Sequence, residues 1–172
     1  MGISKFAKVD PSVKVGENVV VEDGVEIERN VIIGHNVVIH ADTKIREGTF
    51  ISDNVIIGKS DGKVIVEKDV TIGANCIIYT GTLLEEGVVI GDFVSIGENS
   101  KIGKFSKIEG RVTVESDVII GSHSRIENDS YLCKDCRLGN DVIVGIKSLV
   151  LSGVKISDGK IINPKSTVSN DL

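Results

Sequence analysis

Two histidines five residues apart, His35 and His40, are the first side chains in this sequence whose chemistry stands out. A neutral imidazole can take a proton from an attacking amine or hydroxyl, which is the work of a general base. Imidazole is also the commonest zinc ligand, but a catalytic zinc needs three protein ligands, and no histidine precedes His35. His123, in Gly121-Ser122-His123-Ser124, reads as a solvated turn residue. Cys133 and Cys136 have Cys-x-x-Cys spacing. Tyr79 supplies a phenol, and Lys147, Lys155, Lys160 and Lys165 give the last stretch a basic cast that suits a polyanion.

What positions these residues is a repeat. Stepping by six from Ile3 meets an aliphatic residue every time through Ile57, and stepping by six from Val66 does so again through Val168. A period of six is not the 3.6 of a helix, so each unit reads as a short strand followed by a turn. The residue after the aliphatic is Gly in ten units, and the fourth after it is small or β-branched, as at Val37, Thr43, Thr82, Ser100 and Ser106. Gly and Asn in the turns suit unusual backbone angles. In this register Cys76 and Cys136 take inward small positions and Cys133 a corner, so no Cys-x-x-Cys redox or zinc pair is expected. The single break lies between Ile57 and Val66, where three extra residues fall within 58–65 and predict a small surface loop. Function concentrates in loops held on rigid scaffolds.

With 20 basic and 25 acidic residues and a net charge of −5, the 172-residue chain lacks the basic surface of a nucleic-acid binder. No apolar run reaches the roughly 18 residues of a membrane span. Met1–Asp10 carries Lys5 and Lys8 but no apolar stretch, so no secretory leader is expected, and the chain reads as soluble and cytoplasmic.

The unbroken hexads resemble the hexapeptide-repeat acyltransferase superfamily. That resemblance implies an all-β, left-handed parallel β-helix of about nine three-strand coils. At roughly 4.8 Å per stacked strand the prism is about 40–45 Å long. Sequence physics alone favours right-handed crossovers, so the left hand comes from the resemblance. A single domain over 1–172 is expected, without the C-terminal helix common in the family. Calling the three faces A, B and C in order from Ile3, the outward residues of face A begin Val20, Val38, Ile56 and Ile77, an apolar stripe. Face B reads as wet. The family's parallel-axis trimers make face A the expected packing surface of a homotrimer.

Ile33-Gly34-His35-Asn36 is similar to an Ile-x-His-Asn string of the glucosamine N-acyltransferases of lipid A synthesis. Residues 73–145, including Ile78-Tyr79-Thr80-Gly81-Thr82 and Val94-Ser95-Ile96-Gly97-Glu98-Asn99, look like acetyltransferases acting on nucleotide-linked amino sugars. Asp92 stands where those proteins often have His, and their Thr-Asn-Asp loop is missing. Val150–Val168 resembles the last coils of CoA-dependent members, which implies that Lys147, Lys155, Lys160 and Lys165 meet CoA phosphates. The resemblance thus implies an enzyme, an acyl-CoA-dependent transferase using acetyl-CoA on the amine of a nucleotide-linked amino sugar. Its site would lie at a face-A edge, with His35 as first base, His40 as second, Tyr79 orienting the acceptor and Asp61 on the loop touching its polar groups. Two alternatives stand beside it. The His35/His40 spacing resembles γ-class carbonic anhydrases and their metal-dependent hydration, although Glu22 occupies the place of their third His, so no metal is expected. A non-catalytic hexapeptide scaffold is the other.

Overall fold

The computed structural model describes residues 2–59 and 62–172. Every regular element in it is a short strand, 28 in all, forming three parallel sheets of ten, nine and nine strands. The chain visits sheets A, B and C in turn and winds as a left-handed β-helix of about nine coils. No helix in the structure is long and apolar enough to cross a membrane.

Two residues make each strand except Ile56–Lys59 and Ile77–Tyr79, because each hexad needs two inward side chains and one outward one. Ile39, Ile57, Ile78 and Ile96 of sheet A are fully buried, as are the smaller residues two positions ahead, Val37, Val55, Cys76 and Val94. Identical positions stack coil on coil, with Val20 beside Val38, Val38 beside Ile56, and Ile56 beside Ile77. The usual step between partners is 18 residues, and the last of these pairs steps over the insertion. Stacking aliphatic on aliphatic buries a continuous core without aromatic residues, each side chain contributing roughly 1.5–3 kcal/mol.

From Val15 on, most corners place one residue in the left-handed region, the third after the core aliphatic. Asn18, Asn36, Asn54 and Asn75 fill it at the C-to-A corner with φ of 57°, 56°, 59° and 59°. Asparagine tolerates that region better than most side chains. Buried hydroxyls finish the corners: Ser106 Oγ donates to the Gly121 carbonyl at 2.7 Å and accepts the Ser124 N–H at 3.0 Å. Ser124 repeats the pattern with Gly139 and Val142.

Face B is wet in its first coils, where Glu26 lies between Lys8 and Lys44 at 3.5 and 2.8 Å. Face A carries the expected apolar stripe, with Val20 exposed and Val38, Ile56 and Ile77 half-buried. Face C adds a second apolar strip that the sequence reading did not single out: Ile32 and Phe50 are 40% and 43% exposed. The two strips flank the asparagine corner.

Candidate functional site

His40 ends the sheet A strand Val38–Ile39 and starts the A-to-B corner, its N–H donating to the Ile57 carbonyl at 2.9 Å. One coil earlier the same position holds Glu22. The Glu22 carboxylate lies 3.2 Å from His40 Nδ1 and accepts the Ala41 N–H at 3.0 Å, both through Oε2. The imidazole is a third accessible. A carboxylate this close to Nδ1 favours the proton on that nitrogen and leaves the Nε2 lone pair able to accept one.

One coil later the insertion begins. Gly58 has φ of +82°, and a Cβ on it would come within 2.9 Å of Thr43 Oγ1 and 3.2 Å of His40 Cβ. Only a glycine lets the chain turn away here so close to the histidine. Lys59 then pairs with Tyr79 across a bulge, its ammonium 5.5 Å from the ring centroid. The detour breaks a rule kept elsewhere. Thr82, Ser100, Ser106, Ser124, Ser130 and Ser148 each donate to the carbonyl fifteen residues on. For Thr43 that residue is Gly58, which the bulge displaces, and among the described residues Thr43 Oγ1 is buried without a partner, as is Thr80 Oγ1. An unmade buried hydrogen bond costs about 1–3 kcal/mol.

Farther along this edge an open cleft of about 520 Å³ is lined by Tyr79, Ser95, Gly97, Glu98, Thr113, Glu115 and Lys134, among others. Glu115 accepts the Tyr131 hydroxyl at 2.5 Å and the Lys134 N–H at 2.7 Å. The first of these bonds pushes the Tyr131 phenol above its ordinary range.

His35 lies elsewhere, at the C-to-A corner and exposed. Its Nδ1 accepts the Glu17 N–H at 3.0 Å, which engages that lone pair and puts the ring proton on Nε2. Within one chain His35 and His40 therefore sit on opposite sides of sheet A and share no site. His40, Lys59 and Tyr79 do share an edge. Asp61 lies outside the described residues. The four lysines do not form one cluster: Lys147 and Lys165 stack at the C-to-A corner, whereas Lys155 is on face B and Lys160 at the next corner. His123 stacks on Phe105 with ring centroids 5.4 Å apart. The thiols are free, and burial pushes those of Cys76 and Cys136 up to about 11. For γ-type hydration a third imidazole is needed beside His35 and His40. Glu22 stands there instead, 3.2 Å from His40 Nδ1, and His35 Nδ1 is already engaged, so this donor set does not fit that metal.

The sequence places Glu22 only as the residue standing where a third metal-binding His would be. Its role as the partner of His40 was legible in their spacing of one coil at equivalent corner positions.

Comparison with known proteins agrees with this architecture. A family profile described as bacterial transferase hexapeptide (six repeats) matches residues 93–128, and one described as hexapeptide repeat of succinyl-transferase matches 12–41 and 63–91. Together they cover more than half the chain. No curated protein matches. Among solved structures, a UDP-N-acetylglucosamine acyltransferase is 21% identical with a TM-score of 0.58, the alignment covering 99% of this chain and 68% of that one. The Arabidopsis UDP-N-acetylglucosamine acyltransferase is 19% identical, also with a TM-score of 0.58 and coverage of 99% and 68%. The acetyltransferase domain of PglB from Neisseria gonorrhoeae is 21% identical with a TM-score of 0.51, covering 66% of this chain and 48% of that one. At these identities the likeness is one of fold.

Proposed function

We propose, from the premise that this chain belongs to the hexapeptide-repeat acyltransferase superfamily, that it transfers an acetyl group from acetyl-CoA to the amine of a nucleotide-linked amino sugar. The observation that carries this reading is the Glu22 carboxylate on His40 Nδ1 beside the inserted loop. The acceptor amine attacks the thioester carbonyl, and His40 Nε2 takes the amine proton. Collapse of the tetrahedral adduct breaks the C–S bond, and the same proton passes from His40 to the departing thiolate. Glu22 stabilises the imidazolium formed in between. His40 thus replaces His35 as the first-choice base, because the free lone pair belongs to His40.

Tyr79 and Lys59 border the acceptor. Lys147 and Lys165, stacked on one corner, suit the phosphates of CoA better than Lys155 and Lys160 do. The apolar strips of faces A and C support a homotrimer, packed around the asparagine corner, in which a neighbouring prism walls the groove. Light scattering on a Val38→Lys, Ile56→Lys variant tests this: trimers in both the variant and the wild type would defeat it.

The decisive experiment follows CoA release from acetyl-CoA with a set of nucleotide-linked amino sugars. Loss of a general base typically costs about 10²–10⁴ in rate. His40→Ala is expected to lose that much and His35→Ala little. Full turnover in His40→Ala would overturn the assignment.

A further inference from the structure

The corner column that runs along the candidate edge reads Glu22, His40, Gly58, Tyr79, Gly97, Glu115, one residue per coil. Gly97 leaves a gap in it. A Cβ at that position would lie 2.5 Å from the Glu115 carbonyl carbon and 2.6 Å from Ser116 N, so close stacking of the coils demands glycine there. The vacant place lies between the ring of Tyr79 and the carboxylate of Glu115, two coil spacings apart, about 10 Å. Its flank is polar, with the outward residues Ser95 and Thr113 in register on neighbouring strands. Glu98 completes the rim.

The carboxylates decide what fits. Among the described residues neither Glu98 nor Glu115 has a cation within 4.0 Å. Glu115 is held in place by Tyr131 and the Lys134 N–H. Two carboxylates beside two hydroxyls and an aromatic ring, with Lys134 also on the rim, offer acceptors for the hydroxyls of a sugar. A carboxylate reading a ribose diol is a recurring solution for nucleotides. The next cation along the edge toward His40 is Lys59, at the level of Tyr79.

We infer that this cleft holds the ribose of the acceptor's nucleotide, its 2′,3′-diol on Glu98 and Glu115 and its ring edge against Tyr79. The inference rests on the proposed acyl transfer and gives the acceptor a direction. The amino sugar lies at His40, the diphosphate passes Lys59, and the nucleoside ends in the cleft. From the His40 level to the Gly97 level is three coil spacings, about 14 Å, which suits a sugar–diphosphate–ribose chain. CoA is the other source of a ribose near a diphosphate. Its ribose carries a 3′-phosphate in place of one hydroxyl, so the same carboxylates exclude it.

The test is binding without turnover, by calorimetry, with uridine diphosphate as the probe. Uridine diphosphate is expected to bind roughly tenfold or more tightly than its 2′-deoxy counterpart, one hydrogen bond to a charged group being worth about that factor. Glu98→Ala should erase the difference between the two, and CoA should not compete. Equal binding of the ribo and deoxy forms to the wild-type protein overturns the inference without recourse to any variant. Competition by CoA with uridine diphosphate also overturns it. If the ribose preference holds and depends on Glu98 while His40→Ala keeps full turnover, the cleft stands and the base assignment falls. If turnover needs His40 but the ribose preference is absent, the cleft assignment falls alone.

Discussion

The two corners that flank sheet A follow the same backbone plan and end differently. At the C-to-A corner, Asn18, Asn36, Asn54 and Asn75 hand a hydrogen bond from each amide nitrogen to the next amide oxygen at 3.1, 3.1 and 3.3 Å. His35 joins that order by accepting a backbone N–H. At the A-to-B corner the ladder breaks at Gly58, two buried threonine hydroxyls find no partner among the described residues, and the local histidine lies against a carboxylate. A corner that satisfies every group is committed to structure. One that leaves groups unpaired beside a held imidazole has given up stability in a place where strain and unmet bonds commonly accompany function. Two histidines five residues apart in the chain thus have different work.

The sharpest way to break this contrast is through the partners of the two imidazoles. Glu22→Gln keeps the shape but loses the carboxylate's hold on the Nδ1 proton, and turnover should fall roughly 10²-fold or more. Asn36→Ala, next to His35, should leave turnover almost unchanged while lowering the melting temperature. Equal loss in both would erase the distinction.

Stability gives a second comparison of smaller size. Asn54→Ala removes two rungs and puts alanine at φ 59°, which should cost about 2 kcal/mol in chemical denaturation. Thr43→Val deletes a hydroxyl that bonds nothing, so it should cost nothing or stabilise by up to about 1 kcal/mol. A destabilised Thr43→Val would mean that the hydroxyl has a partner after all.

A further comparison is pH-dependent and comes from the thiols. Cys76 follows the asparagine ladder, and Cys136 lies at the other corner. Each folded thiol titrates at about 11, above the roughly 8.5 of an unfolded one. The folded chain therefore holds these protons more firmly, and this part of its stability is complete below about pH 8.5 and lost as pH rises through 11. Denaturation curves at pH 8 and pH 10.5 should show the decline. At pH 8 a thiol reagent should reach half-exposed Cys133 first. Cys136, on the A-to-B corner four coils past the Gly58 bulge, should follow, and Cys76 should come last. Simultaneous labelling of Cys76 and Cys136 would count against a difference in local opening between the corners.

How far the sequence reveals this molecule follows from its period. An aliphatic residue at every sixth position fixes strand, core and coil, because a side chain cannot leave a three-sided prism without leaving its column. The same geometry makes individual sites hard to read, since residues meet only when they are one coil apart on the same face. Lys147 and Lys165 satisfy that condition, whereas Lys155 and Lys160 do not. Glu22 and His40 satisfy it too, but the hydrogen-bonding nitrogen of each histidine depends on side-chain torsions that no spacing reveals. The apolar strip around Ile32 and Phe50 was visible as residues preceding core aliphatics on face C.

The three-residue insertion also settles a question of alignment. With nearly interchangeable aliphatics in every coil, a chain that stacked one coil out of step would still bury a full core, and such slips are the hazard of weakly specified pairing. A slipped chain would have to seat the Gly58 bulge against a corner that makes no room for it, with Thr43 and His40 no longer opposite. The inserted segment acts as a key in a keyway: of all the possible ways to wind this ribbon, it admits the one in which coil three meets coil four.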